Sequence, residues 1–418
     1  MARRWLDEQL AAISYADVEK VHKDDRKLQM AQKKFQSIAD ATENPMRVDK
    51  KTGKPTRASK DIKFLSSSIK FDKASGASDP MVKRTSTKGL YLTPAGKFGT
   101  ADCCRHKTGP CGAACLHDTG FQDLANQIAR TNALEQMGPD AVALLANEID
   151  NHVRDSARYD RARGHHGSLP AVRLDATSEL LMDEMDIGDF LIGRHSGIQQ
   201  EGAFKGYPHL LVSEYGKGLA KGILPGPEPT WRQPNVVRVP SWSEQTTIGR
   251  AEQLRSRGID IAVPATNYGT STHPKDIPSH VSVQFKGGRM VLPAVDYDEH
   301  DVIAMRPFSG SAGILRAKNP AFSKRDPERQ KKASKFLTDQ HTPYEPGVGF
   351  EGGESPVSPA AVGTGVGFLL KQFKEFRTEN RQDHANVMAE LRKVRNGIDT
   401  VAGRLNQHID WHMDKDKK

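Results

Sequence analysis

All four cysteines of this 418-residue chain fall between positions 103 and 115, in the run Ala101-Asp102-Cys103-Cys104-Arg105-His106-Lys107-Thr108-Gly109-Pro110-Cys111-Gly112-Ala113-Ala114-Cys115. A disulfide framework spreads cysteines along a small secreted chain, so crowding every thiol into one short segment of a long chain favours metal binding. Thiolates are soft ligands that suit zinc, copper(I) and iron–sulfur clusters. Cys111 and Cys115 stand at i, i+4, so one helical turn could present both sulfurs to one centre. Gly109-Pro110 and Gly112 let the chain curl back towards Cys103 or Cys104. Adjacent cysteines rarely ligate the same ion, which makes three thiolates the working donor set. Three outcomes stay open: three thiolates and an open site on an iron–sulfur cluster; zinc held by Cys104, Cys111, Cys115 and either His106 or His117; or buried free thiols with no metal. The spacing matches none of the standard zinc or ferredoxin patterns.

Other polar groups gather at the ends of strand-like runs. Arg173 and Asp175 alternate on one run and so face the same side, with Leu174 opposite. Thr177, Ser178 and Glu179 follow, and two hydroxyls and a carboxylate there could grip an amine or a ribose. The competing reading is a helix N-cap with Glu179 in the first turn. Tyr215, Lys217, Asn235, Ser241, Ser243, Glu244, Arg316 and Lys318 also lie at or near strand ends. They could bind phosphate or carboxylate groups, although taken singly each reads first as a solvated surface group. His165-His166 sits in a polar loop and reads as exposed. Gly352-Gly353-Glu354 has no preceding strand to aim it. No P-loop, dinucleotide fingerprint or HExxH zinc motif is present.

These residues need elements to position them. The first forty residues read as helical: Ser14-Tyr15-Ala16-Asp17 forms a capping box, and Val18, Val21, Leu28, Ala31, Phe35 and Ile38 follow at helical spacing, interrupted at Asp25. Residues 1–43 are thus N-terminal helices, and 44–62, polar, basic and proline-punctuated, read as a linker or an arm ordered on binding. The stretch 63–325 alternates helical runs with strand candidates at Gly89–Pro94, Pro170–Asp175, His209–Glu214, Val236–Pro240, Ile259–Pro264, Met290–Val295 and Ala312–Ala317. Its clearest helical region, 121–156, breaks at Gly138-Pro139 and resumes with Val142, Leu145, Ile149 and Val153 on one face. The expected fold class is α/β, with a largely parallel sheet in a barrel-like or partial (β/α) barrel core. Residues 326–367 are a Gly/Pro-rich linker. In 368–414, Val387, Leu391, Val394, Ile398, Val401 and Leu405 form a heptad seam, the mark of a coiled-coil helix and of a homo-oligomer built through 387–405. The alternative is a helix packed on its own domain.

The totals bound the setting. The formal net charge is +9, which raises the prospect of nucleic-acid contact through basic segments, against the plainer reading of a solvated surface. Hydrophobic residues make up 36% of the chain, enough for one well-buried domain with solvated extensions. No apolar run approaches the roughly 20 residues needed to span a bilayer, and the N-terminus lacks the apolar core of a secretory signal. The expectation is a cytoplasmic protein with no membrane partner.

From Leu90 to about Lys318 the chain resembles the bacteriophage gene product eighty-eight family. The resemblance rests on ordered motifs. Leu90-Tyr91-Leu92-Thr93-Pro94-Ala95 runs into the cysteine loop, and Ala129-Arg130-Thr131 follows. Then come Val172-Arg173-Leu174-Asp175-Ala176-Thr177-Ser178-Glu179-Leu180, Glu214-Tyr215-Gly216-Lys217, Pro234-Asn235 with Ser241-Trp242-Ser243-Glu244, and Gly313-Ile314-Leu315-Arg316-Ala317-Lys318. The arrangement is in turn similar to radical S-adenosylmethionine enzymes, where a three-cysteine loop follows the first barrel strand and holds a [4Fe–4S] cluster. That likeness implies an iron–sulfur centre, with S-adenosylmethionine as co-substrate, and places Glu179 where those enzymes hold the methionine amine. The implied activity is an enzyme acting on a nucleotide, nucleic acid or peptide. The alternative is a zinc-stabilised, non-enzymatic nucleic-acid-binding or scaffolding protein that oligomerises through its tail.

Overall fold

The helical N-terminus divides into three pieces: α1 (Leu6–Ala11), α2 (Tyr15–His22) and α3 (Asp25–Asp40). Ser14 caps α2, its Oγ accepting the Asp17 amide at 3.2 Å and donating to the Asp17 carboxylate at 2.7 Å. The apolar stripe is interrupted at Asp25 because a new helix starts there, with Asp24 accepting the Arg26 and Lys27 amides at 3.0 and 3.2 Å. Val18 and Val21 of α2 and Ala31, Phe35 and Ala39 of α3 are buried.

This computed structural model describes residues 5–49, 51–67, 79–109, 111, 124–163, 168–174, 176, 178–180, 182, 185–196, 208–221, 235–265, 268, 276–299, 302, 308–316 and 341–343. The chain divides into a unit Met1–Pro346 and a unit Gly347–Lys418. The heptad seam at 387–405 and the Gly/Pro-rich stretch before it lie outside the described residues.

The segment 44–62 contains a hairpin where the sequence reads as a linker. Strands β1 (Glu43–Val48) and β2 (Pro55–Arg57) pair antiparallel. The turn chemistry explains it: the Asp49 carboxylate accepts the Lys51 and Thr52 amides at 2.7 and 3.0 Å, and Gly53 takes the positive φ of 67° that closes the turn. Further on come β3 (Leu65–Ser66), α4 (Pro80–Lys83), β4 (Thr85–Leu90), a 3-10 turn at Pro94–Gly99, α5 (Leu124–Met137), α6 (Pro139–Arg163), β5 (Leu169–Arg173), α7 (Asp186–Leu191), β6 (Leu211–Gly216), α8 (Lys217–Lys221), β7 (Val236–Pro240), α9 (Ile248–Ser256), β8 (Ile261–Ala265), β9 (His280–Phe285), β10 (Gly288–Asp296), β11 (Ala312–Arg316) and β12 (His341–Pro343). The expected break between the central helices is real. Gly138 adopts a φ of 54° and Pro139 opens α6, the usual division of labour at a helix stop and start.

Strands β4, β5, β6 and β7 run parallel in sequence order, with β3 antiparallel at the edge. Strands β8, β11 and β10 are also parallel, and beyond them β9 pairs antiparallel with β10 and β12 antiparallel with β9. The two sheets join where Ser241 pairs with Ala262 in parallel and the Trp242 amide donates to the Ala262 carbonyl at 2.8 Å. The result is a mixed α/β fold whose parallel strands curl into a half-barrel. Six of the seven strand candidates fall largely on one of these strands, whereas Gly89–Pro94 meets β4 only at Gly89 and Leu90 and then leaves the sheet for the 3-10 turn.

Helices cover one face of the sheet. One apolar cluster takes in α1, α2, α3, α5, α6 and α7 with Leu90, Val172, Val212 and Val236, and a second joins α9 and Trp242 to β8, β9, β10 and β11. The opposite face carries Val239, Ala262 and Tyr297, with Tyr215, Val295, Phe308 and Leu315 packed on them. On the helical side Asp150 of α6 fastens two elements, bonding His22 of α2 and both Arg194 and His195 of the 3-10 turn Gly193–His195, each at 3.0 Å. Burial opposes its charge, yet His195, His22 and Arg194 together hold its carboxyl well below the usual range.

Gly313 shows why β11 carries a glycine. A Cβ there would stand 2.5 Å from the Tyr297 ring. That ring is fully buried and pinned, its hydroxyl donating to Asp260 at 2.9 Å. Asp260 in turn accepts the Ser309 and Ser311 amides at 2.9 and 2.8 Å. Gly313→Ala is expected to cost about 2 kcal/mol or more by overpacking, read as a lowered midpoint in denaturant with an unchanged slope. An unchanged midpoint would show that the ring yields freely. Among the described residues no helix is long and apolar enough to cross a membrane.

Candidate thiol site at the carboxyl edge of the sheet

In a parallel sheet the loops after the strands share one edge, and ligands commonly bind there. The loop after β4 carries the cysteines, and its shape is set by a residue not singled out in the sequence. Asp102 is buried, pairs through its backbone with Trp5 and accepts the Leu6 amide at 3.1 Å on its carbonyl. Its carboxylate accepts the Cys104 amide at 3.0 Å and forms an ion pair with Lys107. Arg105 reaches Asp7 at 3.3 Å and Glu8 at 3.7 Å, so the start of α1 braces the loop from outside. From the other side Cys104 pairs in parallel with Glu179, whose amide donates to the Cys103 carbonyl at 2.9 Å.

This pairing makes residues 102–104 extended, and adjacent side chains in extended backbone point opposite ways. Cys103 is buried in the main apolar cluster, with Sγ 3.7 Å from the Ala101 carbonyl. Cys104 is half-buried. The two neighbours are thus distinguished, and Cys104 is the thiol available to a site. Cys111 is half-buried as well, its amide donating to Thr108 Oγ1 at 3.2 Å while Thr108 Oγ1 donates to Glu244 at 3.0 Å.

Lys217, the first residue of α8 and directly after β6, is where these groups meet. Burial works against its charge. Attraction from Cys111, Glu179 and Cys104, together with a hydrogen bond to Cys111, more than offsets that and raises its pKa well above the ordinary lysine value. Glu179 is buried and accepts the Gly218 amide at 2.8 Å. Four of the expected residues, Cys104, Cys111, Glu179 and Lys217, are therefore brought together from three segments far apart in sequence, with Glu244 tied in through Thr108. Glu179 is bridged to Cys104 and neither it nor Leu180 is helical, so Ser178 does not cap a helix with Glu179 in its first turn, while Thr177, the other cap candidate, lies outside the described residues.

Arg173 at the end of β5 lies over the Tyr215 ring, 4.6 Å from its centroid, on the neighbouring strand. Ser241 is occupied with the sheet, its amide donating to Gly216 at 2.9 Å. Ser243 is buried inside a turn, where its hydroxyl takes the Gln245 amide at 3.3 Å. Asn235 sits at the opposite, amino end of β7, donating to the Leu210 carbonyl at 3.0 Å, and is not brought to the group. Arg316 grips both Asp296 oxygens at 2.7 and 2.6 Å and the Tyr268 carbonyl at 2.9 Å. With Asp276, Ser279 and Asp296 it lines a cavity of about 450 Å³ at the ends of β10 and β11. Cys115, His117, Asp175, Thr177 and Lys318 lie outside the described residues.

Sequence reasoning did not find Asp102, Thr108 or Gly218. The aspartate two residues before Cys104 was visible as a local amide-capping pattern, but its pairing with Trp5 was not. Among the described residues no group of three or more His, Cys, Asp or Glu side chains could hold a metal ion. The described donor set consists of the thiols of Cys104 and Cys111. Both lie at the carboxyl edge and act on the Lys217 ammonium, and Cys115 lies outside the described residues. No protein-family model, curated protein or solved structure matches this chain.

Proposed function

We propose that this chain is an iron–sulfur enzyme of radical S-adenosylmethionine type, of the same kind as the phage gene product eighty-eight family, acting on a nucleotide, nucleic acid or peptide. The observation that carries the reading is the convergence of Cys104, Cys111 and Glu179 on Lys217 at the carboxyl edge of a half-barrel. The strand order supports it, since the cysteine loop leaves β4, the first of the parallel strands that run on in sequence order to β8.

In this reading Cys104, Cys111 and Cys115 hold the cluster and Cys103 serves the core. The cluster, when bound, supplies single electrons to a bound co-substrate. The protein's own groups do the rest. Lys217 places a positive charge beside the thiolates and balances their summed negative charge in a poorly solvated place. Glu179, fixed by the Gly218 amide, offers its carboxylate to an amine such as that of a methionine moiety. Arg173, held against Tyr215, is placed one strand over, where it can meet a carboxylate.

The test is anaerobic purification and reconstitution of the full chain, with iron, sulfide and zinc measured alongside binding of S-adenosylmethionine. About four irons and four sulfides per chain, a brown colour and a perturbed cluster spectrum on adding S-adenosylmethionine are expected. A colourless chain with one zinc would replace this reading with a zinc-stabilised scaffold.

A further inference from the structure

Away from the thiols, the β1–β2 hairpin is a strongly charged exposed feature among the described residues. Between Glu43 and Lys63 the chain carries Arg47, Lys50, Lys51, Lys54, Arg57, Lys60 and Lys63 against Glu43, Asp49 and Asp61. Lys51, Lys54, Lys60 and Lys63 are exposed. Two of the three carboxylates are already engaged. Glu43 pairs with Arg57 at 3.4 Å, and Asp49 is taken up by the Lys51 and Thr52 amides. The hairpin is also stiff. Its turn is closed by the Asp49 amide on the Lys54 carbonyl and the Gly53 amide on the Asp49 carbonyl, both at 2.8 Å. At its base the Ser59 amide donates to Asn126 at 2.7 Å and Gln36 of α3 reaches the Ser59 carbonyl at 3.4 Å. Exposed Lys33 and Lys34 extend the positive charge along α3.

We propose that this hairpin is a basic β-ribbon that docks in the major groove of duplex DNA, with Lys51, Lys54 and Lys60 on backbone phosphates. The major groove of B-form DNA, about 12 Å wide, admits a two-stranded ribbon, whereas the deep, narrow major groove of A-form RNA does not. Residues 43–63 contain no aromatic side chain, so the ribbon lacks the stacking platform by which single strands are held. A turn already closed before binding loses little entropy on docking. The ribbon is fastened to Asn126 in the first turn of α5, the helix that follows the cysteine loop. This inference goes beyond the thiol-centre reading and does not depend on it.

The test is fluorescence anisotropy of the full-length chain with a labelled duplex of about 20 base pairs, titrated from about 50 to 200 mM salt. The natural chain is expected to bind with a steep loss of affinity as salt rises. K51A/K54A/K60A, all surface changes, is expected to keep its circular dichroism spectrum and weaken binding at least about tenfold. Losing three phosphate contacts flattens the slope of log K against log salt by about 2 to 3. No duplex binding at the lowest salt, or a triple variant that binds like the natural chain, overturns the proposal. So does tighter binding to the single strand, or to vesicles rich in phosphatidylserine, than to the duplex.

Discussion

Cys111→Ser or Cys104→Ser is expected to cut the iron of the anaerobically reconstituted chain from about four per chain to less than one, whereas Cys103→Ala leaves it at the natural level. The difference follows from which way each sulfur points. Cys104 and Cys111 both act on the Lys217 ammonium. Cys103, one residue away, is 1% exposed within the main apolar cluster. Removing that sulfur leaves a small cavity and costs about 1 kcal/mol of stability, so Cys103→Ala should lower the unfolding midpoint slightly and keep the colour. The serine variants should do the opposite, keeping the apoprotein's fold and losing the centre, because a hydroxyl is a poor soft-metal ligand. Equal iron in all three variants would mean that the thiols play no part in holding the centre. Loss of iron only in Cys103→Ala would reverse the assignment.

Much of the scaffold was legible because local chemistry and tertiary structure agree. Ser14 and Asp17 write a helix start, Gly138-Pro139 writes a stop and a start, the apolar run Val236–Pro240 is a strand with those residues, and the run Ala312–Ala317 is a strand as far as Arg316. What escaped depends on distant partners or on turn chemistry read too coarsely. The Lys/Pro-rich composition of 44–62 hid a hairpin whose signal was Asp49 and Gly53 closing a turn. Strand β9 alternates cleanly through Val281, Val283 and Phe285 and turns into β10 at Gly287, with a φ of 97°. Placing Glu179 and Lys217 at strand ends was enough to bring them into the site, because every parallel strand delivers its carboxyl end to the same edge. Position along a strand does not say which face or which end is served. By sequence Asn235 reads as a strand-end residue like the others, yet it stands where β7 begins. No local pattern could have separated Cys103 from Cys104, since that choice is made by Trp5 and Glu179 pairing on either side of the loop.

The largest stability effect is expected three residues before Lys217, at a buried charge pair. Glu214 of β6 and Arg238 of β7 are directly opposite in the parallel register, with Nε 3.5 Å from a carboxylate oxygen. Their side chains are 0% and 3% exposed. Desolvating two charges offsets most of what their attraction gains, so the pair adds little net stability over an apolar pair of equal volume. Breaking it is another matter. Glu214→Leu leaves the Arg238 guanidinium buried without this carboxylate and should cost about 3–5 kcal/mol. Glu214→Leu with Arg238→Met should recover most of that loss, and chemical denaturation of the two single variants and the double gives the coupling directly. A Glu214→Leu chain within about 1 kcal/mol of the natural one would show that the charge is met elsewhere. The pair also bears on the site, because Glu214 lies three residues before Lys217 on the strand that aims it. A slip of one residue in β6 would turn every side chain to the other face. Opposite charges that come face to face in a single register guard against that slip. The double variant is therefore expected to be stable yet poorer at reconstituting the centre than the natural chain, separating what the pair does for register from what it does for stability.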